Sequence, residues 1–241
     1  MSARRLRLSG VLQGIGITVG LLGLVGGFVL LAFLYRPYSV PTDSMRPTVQ
    51  PGDIVLAQRV KGSEVGRGDI VVFNDPAWGT SNEVKRVIGV GGDTVACCDS
   101  KDRVTVNGVP LAEPYLAPVQ KGIGTRFTAK VPAGRLFLMG DNRAVSLDSR
   151  SRIPLDSFSG TVPASEVLAR VEGKAWPLGS MGTIDRTGAF DTLPGSRATT
   201  HGPLAALGYA IIGGGLLVLL TAAVGTVEGL VRKRRRPSAE A

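Results

Sequence analysis

Val104-Thr105-Val106-Asn107-Gly108-Val109 decides the fold class of the middle of this chain. Asn-Gly stands between apolar alternations, the pattern of a tight two-residue turn joining antiparallel strands. Working outward, short stretches rich in β-branched residues recur between turn signals: Asp53 to Gln58, Asp69 to Phe73, Val84 to Val90, Thr94 to Cys97, Arg103 to Val106 and Leu136 to Met139. Few windows here hold a helical period. The spacing predicts a mostly β domain of twisted antiparallel sheets with Gly- and Pro-rich turns and one long connection around residues 110 to 134.

Composition narrows what such a domain can do. The 241 residues are 44% hydrophobic, too apolar for a disordered chain, and the length allows one or two domains. A single histidine, His201, and two adjacent cysteines, Cys97 and Cys98, exclude a His-rich zinc site, a four-cysteine zinc site and a multi-bridge disulfide scaffold. The cysteine pair stands open between two thiols and a bridge of neighbours, which closes almost no loop and adds little stability. A catalytic cysteine lacks a nearby histidine to generate its thiolate.

The formal charge of +9 is concentrated at the ends. Arg4, Arg5 and Arg7 precede one uncharged apolar run, Leu8 to Tyr35, and Arg232, Lys233, Arg234, Arg235 and Arg236 follow another, Gly202 to Val227. Each run exceeds the roughly 20 residues that cross a bilayer as a helix. The first is longer than the apolar core of a cleavable signal and runs directly into Tyr35, Arg36 and Pro37, which favours a retained anchor. Basic tails beside hydrophobic spans read as cytoplasmic anchors for anionic lipid, not as a nucleic-acid stripe or nuclear signal. The expected organisation is a cytoplasmic tail (1–7), a first transmembrane helix (8–35), an extracytoplasmic β domain (36–176), a linker (177–203), a second transmembrane helix (204–227) and a cytoplasmic tail (228–241). No internal repeat is present.

Three stretches of the domain carry candidate chemistry. In Pro41-Thr42-Asp43-Ser44-Met45-Arg46-Pro47-Thr48, two prolines flank a serine and restrict the backbone around one hydroxyl. Serine is a weak nucleophile at neutral pH and needs a base. His201 adjoins the second span, beyond the expected linker, which makes a Ser-His-Asp triad improbable. Lysine serves if burial lowers its pKa from about 10.4 toward about 7 to 8. Lys85, within the apolar Val84-Lys85-Arg86-Val87-Ile88-Gly89-Val90, has that context. The third stretch, Gly140 to Arg150, follows an apolar strand and is dense in Gly, Asp, Asn and Ser. In it, Asp148 and Arg150 are placed to pair, and Ser146 to hydrogen-bond a buried lysine amine.

Taken in this order behind an N-terminal span, these blocks resemble the bacterial type I signal peptidases, also called leader peptidases. The matching blocks are Ser44-Met45-Arg46-Pro47-Thr48, Pro51-Gly52-Asp53-Ile54-Val55-Leu56, Gly68-Asp69-Ile70-Val71-Val72-Phe73, Val84-Lys85-Arg86-Val87-Ile88-Gly89 with Gly92-Asp93, and Gly140-Asp141-Asn142-Arg143 with Ser146, Asp148, Ser149 and Arg150. The chain departs from the family pattern at Gly91-Gly92-Asp93, where Pro-Gly-Asp is common, and at Ala144-Val145, where a polar pair is common. It also has Glu83 where an aromatic residue often stands two before the lysine.

The resemblance implies a β domain of two antiparallel sheets and a Ser/Lys dyad that needs no metal or cofactor. Ser44 would be the nucleophile and Lys85 the general base. The Ser44 N–H and the Thr42 hydroxyl would form the oxyanion hole, Ser146 would orient the Lys85 amine, and Asp148 and Arg150 would support the loop. Val40, Met45, Val49 and Val84 would line the substrate pocket by analogy. The implied substrates are secretory preproteins with small residues at positions one and three before the cut. The implied setting is the plasma membrane, with the lipid bilayer and the protein-export translocon as partners and no nucleic acid. Two rivals remain at this level: a non-catalytic membrane-anchored β module, and a self-cleaving Ser/Lys protein like the SOS repressors, which two spans disfavour.

Overall fold

The computed structural model describes residues 2–117, 125–155, 157–195 and 202–234. His201 lies outside them. The chain divides into two compact units, one comprising Tyr35–Gly202 and the other the segments on either side of it.

The flanking unit is a pair of long helices, α1 (Ser2–Leu34) and α3 (Leu204–Arg234). They pack through glycine. A Cβ at Gly20 would stand 2.8 Å from the Gly214 carbonyl oxygen, and one at Gly214 2.6 Å from the Gly20 carbonyl oxygen, so the backbones approach as only small residues permit. The stretches Gly10–Leu34 and Leu204–Val231 are long and apolar enough to cross a membrane, and little of either is covered by protein. Phe33 is 78% exposed and Leu22 69% exposed. The core helix of a soluble protein would bury such side chains, whereas lipid solvates them.

Among its described residues the Tyr35–Gly202 unit carries twelve strands, in chain order β1 (Tyr35–Ser39), β2 (Ile54–Gln58), β3 (Ile70–Phe73), β4 (Glu83–Val90), β5 (Thr94–Cys97), β6 (Val104–Val106), β7 (Val109–Pro110), β8 (Phe127–Lys130), β9 (Arg135–Met139), β10 (Val162–Pro163), β11 (Val167–Trp176) and β12 (Gly182–Thr183). One short helix, α2 (Ser149–Arg152), follows β9. The larger sheet runs β1-β2-β11-β3-β4-β9-β10, with β12 beside β11, and the smaller runs β7-β6-β5-β8. Every pairing is antiparallel. Asn107 and Gly108 both take positive φ between β6 and β7, as the tight hairpin turn demands.

Three buried clusters fill this unit. Val40, Met45, Val49, Val55, Ile70, Val72 and Val171 pack on one side of the larger sheet. Val71, Phe73, Val87, Leu136 and Leu138 form the second cluster. The alternation Ile70, Val72 against Val71, Phe73 on β3 is the two-residue period of a strand buried on both faces. Ile88, Val95, Val106, Phe137 and Met139 form the third, joining the smaller sheet to the larger.

The structure differs from the sequence expectation in several places, and Tyr35, expected in the first transmembrane helix, opens β1 instead. β11 is absent from the strands read from the sequence, yet it lies centrally, between β2 and β3. The long connection expected around 110 to 134 contains β8, paired to β5. Residues read as a linker from Pro177 onward include β12, and Phe190 and Leu193 are buried in the third cluster, so this stretch forms part of the domain wall. Two apolar side chains among glycines and prolines suffice to anchor it. Cys97 and Cys98 are joined as a bridge of neighbours.

A buried bidentate pair fixes the turn between β4 and β5. Arg67 donates to Asp93 through Nε at 2.7 Å and Nη2 at 2.6 Å. Burial works to raise the Asp93 carboxyl, but hydrogen bonds from Arg67, the Val90 N–H and Asn107 outweigh it and hold the group below its ordinary range. A carboxylate depressed on folding contributes stability above its unfolded value, about 3.9, and loses it as pH falls through the lower folded value. The melting-temperature gap between wild type and Asp93→Asn is therefore expected to be widest near neutrality and to close as pH falls below about 4. A gap independent of pH would contradict this.

Candidate active site

Ser44 sits in a 3-10 turn, Asp43–Met45, whose two buried residues are Ser44 and Met45. The turn closes through Arg46 N–H donating to the Asp43 carbonyl at 3.1 Å, and Met45 drops into the first core cluster, leaving Ser44 fixed above it. Two bonds tie the turn to the loop after β9: Asn142 N–H donates to the Ser44 carbonyl at 3.0 Å and Asn142 Nδ2 to the Asp43 carbonyl at 3.1 Å.

Lys85 lies on β4, and β4 packs against this turn. Lys85 is 3% exposed, and its Nζ stands 3.3 Å from Ser44 Oγ. Candidate nucleophile and base, distant in sequence, thus meet as two buried side chains. Thr42 Oγ1 lies 3.2 Å from Ser44 Oγ, on the exposed rim.

β4 pairs with β3 along Glu83 to Arg86, but its other edge meets β9 only from Arg86 onward. The edge beside Glu83, Val84 and Lys85 is therefore outside the ladder with β9. Val40, Met45 and Val49 meet in one cluster, with Val84 packed against it. Met45 and Val49 have no exposed surface.

The loop after β9 is held by its acids. Asp148 accepts from the Gly140 N–H at 3.0 Å and caps α2 by accepting from the Arg150 N–H at 3.2 Å. The Arg150 side chain returns to Asp148 at 2.8 Å and donates to the Arg143 carbonyl at 3.0 Å. Ser146 Oγ is buried, with no hydrogen-bond partner among the described residues. A Cβ at Gly140 would stand 2.2 Å from Ser146 Oγ and 2.4 Å from the Ser44 carbonyl oxygen, so glycine is what lets the loop approach the serine.

Further residues enter that the sequence reading quoted without giving them a role. Arg86, beside Lys85, donates to Asp141 through Nε at 2.8 Å and Nη2 at 2.6 Å and to the Gly68 carbonyl at 2.9 Å. Thr48 donates to the same carboxylate at 2.5 Å. Burial opposes the charge on Arg86, but Asp141 more than restores it, and the guanidinium is held charged above its ordinary range. The Arg86 guanidinium also lies 4.1 Å over the Tyr115 ring. Arg143, engaged by Glu113, donates through Nε to the Gly140 carbonyl at 3.0 Å. Burial pushes the Tyr115 hydroxyl well up, and Glu113 adds to the effect. These pairs join the segments after Ser44, around Lys85 and after Gly140 into one scaffold.

A protein-family model described as "Signal peptidase, peptidase S26" matches residues 11–176. The chain belongs to that family. It is 32% identical to the "Signal peptidase I" of Mycobacterium tuberculosis (strain ATCC 25618 / H37Rv) over 207 residues, covering 65% of this chain and 70% of that one. It is 39% identical to "Signal peptidase I T" of Bacillus subtilis (strain 168) over 142 residues, covering 54% of this chain and 72% of the relative. Among solved structures, a signal peptidase I from Enterococcus faecalis V583 is 32% identical, with a TM-score of 0.36, and covers 43% of this chain and 93% of its own. The family match sets aside the non-catalytic module and the self-cleaving repressor. This signal peptidase is a membrane-anchored serine endopeptidase that removes signal peptides from preproteins.

Proposed function

We propose that Ser44 and Lys85 are the dyad that cuts the signal peptide, through an acyl-enzyme. The observation that carries this reading is the 3.3 Å separation of a buried lysine amine from a serine hydroxyl. Lys85 is buried and within reach of a direct proton transfer from the hydroxyl. Neutral Lys85 accepts the Ser44 proton as Oγ bonds to the scissile carbonyl carbon. The Ser44 N–H and the Thr42 hydroxyl stabilise the oxyanion. Lys85 then passes the proton to the leaving amine and activates water to release the acyl group. Ser146 lines the Gly140 side of the serine, but its Oγ makes no hydrogen bond to the amine among the described residues, so the orienting role expected of it is not assigned, while Asp148 and Arg150 hold the loop.

The substrate enters as an extended strand along the open edge of β4. Its small side chains, one and three residues before the cut, sit over a floor of Val40, Met45 and Val49 with Val84 at the wall. Both basic tails are cytoplasmic and the β domain is outside, where preproteins emerge from the export translocon of the plasma membrane. The spans bound by 8–35 and 204–227 keep the site near the bilayer and raise the effective concentration of a membrane-held substrate.

The purified chain is expected to cut a preprotein with Ala at both small positions once, as read by product mass, and to leave uncut the same preprotein with Phe at the position before the cut. Equal cleavage of the Phe variant would overturn the pocket. Undiminished cleavage by Ser44→Ala would overturn the nucleophile.

A further inference from the structure

Glu83 and Lys85 stand two apart on β4, and strand alternation sends both side chains to the same face. Glu83 Oε2 lies 2.9 Å from Lys85 Nζ, closer than Ser44 Oγ at 3.3 Å. The amine is thus held between a carboxylate and the serine. The two partners differ in hydration: the Lys85 side chain is 4% exposed and that of Glu83 27%. Water still reaches the carboxylate, while the amine depends on its protein neighbours.

The charged groups on the elements packed around β4 are engaged elsewhere. On the serine turn, Asp43 pairs with Arg46 at 3.1 Å. Beside β3, Asp69 accepts from the Gly66 N–H at 2.8 Å. On β9, Arg135 donates to Thr161 Oγ1 at 2.7 Å, and in the loop after it Asp141 is taken by Arg86 and Asp148 by Arg150. Before β5, Asp93 is taken by Arg67. Among the described residues, Glu83 is the acid paired with Lys85.

We propose that Glu83 is a positioning residue for the general base: it holds the Lys85 amine against Ser44 Oγ and supplies the counter-charge when that amine becomes an ammonium. The inference rests on the dyad reading and deepens it. As the bond from Ser44 Oγ to the carbonyl carbon forms, the serine proton moves to Lys85 Nζ, and it leaves with the amine of the departing chain. Glu83 keeps its charge throughout. It acts as the third group of a triad acts, by orienting the base and stabilising its charged form. The same carboxylate also favours the ammonium before reaction begins, so the fraction of enzyme ready to react is smaller at any pH than an uncharged side chain would allow.

The two consequences have opposite signs and one experiment reads both. The 241-residue protein in detergent, as wild type, Glu83→Gln and Glu83→Ala, is assayed on one preprotein across pH for kcat and KM. In both variants the acid limb of kcat/KM is expected to move to lower pH by about 1 unit, because an opposing charge has been removed. The alkaline plateau of kcat is expected to fall about 10-fold in Glu83→Gln, which keeps an acceptor, and about 100-fold in Glu83→Ala, which frees the amine, with KM unchanged. Acid limbs superimposed on that of wild type would overturn the role of Glu83. If in addition Lys85→Ala were inactive, the dyad would stand without it, whereas an active Lys85→Ala would overturn the dyad as well.

Discussion

Lys85→Ala is expected to lower kcat for preprotein cleavage by about 10⁴-fold or more, and Ser44→Ala by a similar factor. The size follows from the division of labour. Without the amine, no other base is hydrogen-bonded to Ser44 Oγ among the described residues, since Thr42 is a hydroxyl and Ser146 Oγ makes no hydrogen bond. Because the two groups act as one unit, the double variant is expected to lose little more than either single one. On the proposed binding mode substrate binding is expected to survive, for the strand edge of β4 and the apolar cluster of Val40, Met45 and Val49 remain in place. KM is accordingly expected to change far less than kcat. Lys85→Arg does not rescue, because a guanidinium stays protonated and cannot accept the serine proton. Purified protein, a defined preprotein and product mass suffice for the measurement. Cleavage by Lys85→Ala within 10-fold of wild type would place the base elsewhere.

The meeting of Ser44 and Lys85 was legible in the sequence because a serine without a histidine leaves few bases, and Lys85 lies in an apolar strand. The hairpin at Asn107-Gly108 was legible because that turn requires positive φ at both central residues. β11 was not. Arg170 and Glu172 interrupt its apolar pattern, and their burial becomes tolerable only in three dimensions, where Arg170 pairs with Glu172 and reaches Gln58, and Tyr35 donates to Glu172 at 2.6 Å. β1 was hidden behind the apolar run that precedes it, and its Pro37 is a residue that only an edge strand admits. Glu83 stood out in the sequence as a departure from a pattern; its meaning needed the 2.9 Å contact with Lys85.

The same limit applies to the pair that supports the dyad. Arg86 and Asp141 are 55 residues apart in sequence and both buried, so nothing local announces their bidentate contact. Asp141→Ala is expected to cost about 3 to 5 kcal/mol, because it leaves the Arg86 guanidinium without its counter-charge and frees the Thr48 hydroxyl. For a domain of this size that corresponds to a fall in melting temperature of roughly 10 °C. Replacing both partners by apolar residues of similar volume, Arg86→Met with Asp141→Leu, is expected to recover most of the loss, since the cost lies in the unpaired charge and not in the absent bond. Activity is expected not to return with stability in that double variant. Asp141 also holds the segment at Thr48, beyond the serine turn, against the loop whose Asn142 grips the Ser44 carbonyl, and a displacement of about 1 Å there costs on the order of 100-fold in rate. Melting curves and cleavage rates on the same three proteins separate the two effects. A stable, fully active double variant would show that the pair only fills space, and an Asp141→Ala protein that melts with wild type would show that the guanidinium finds another partner.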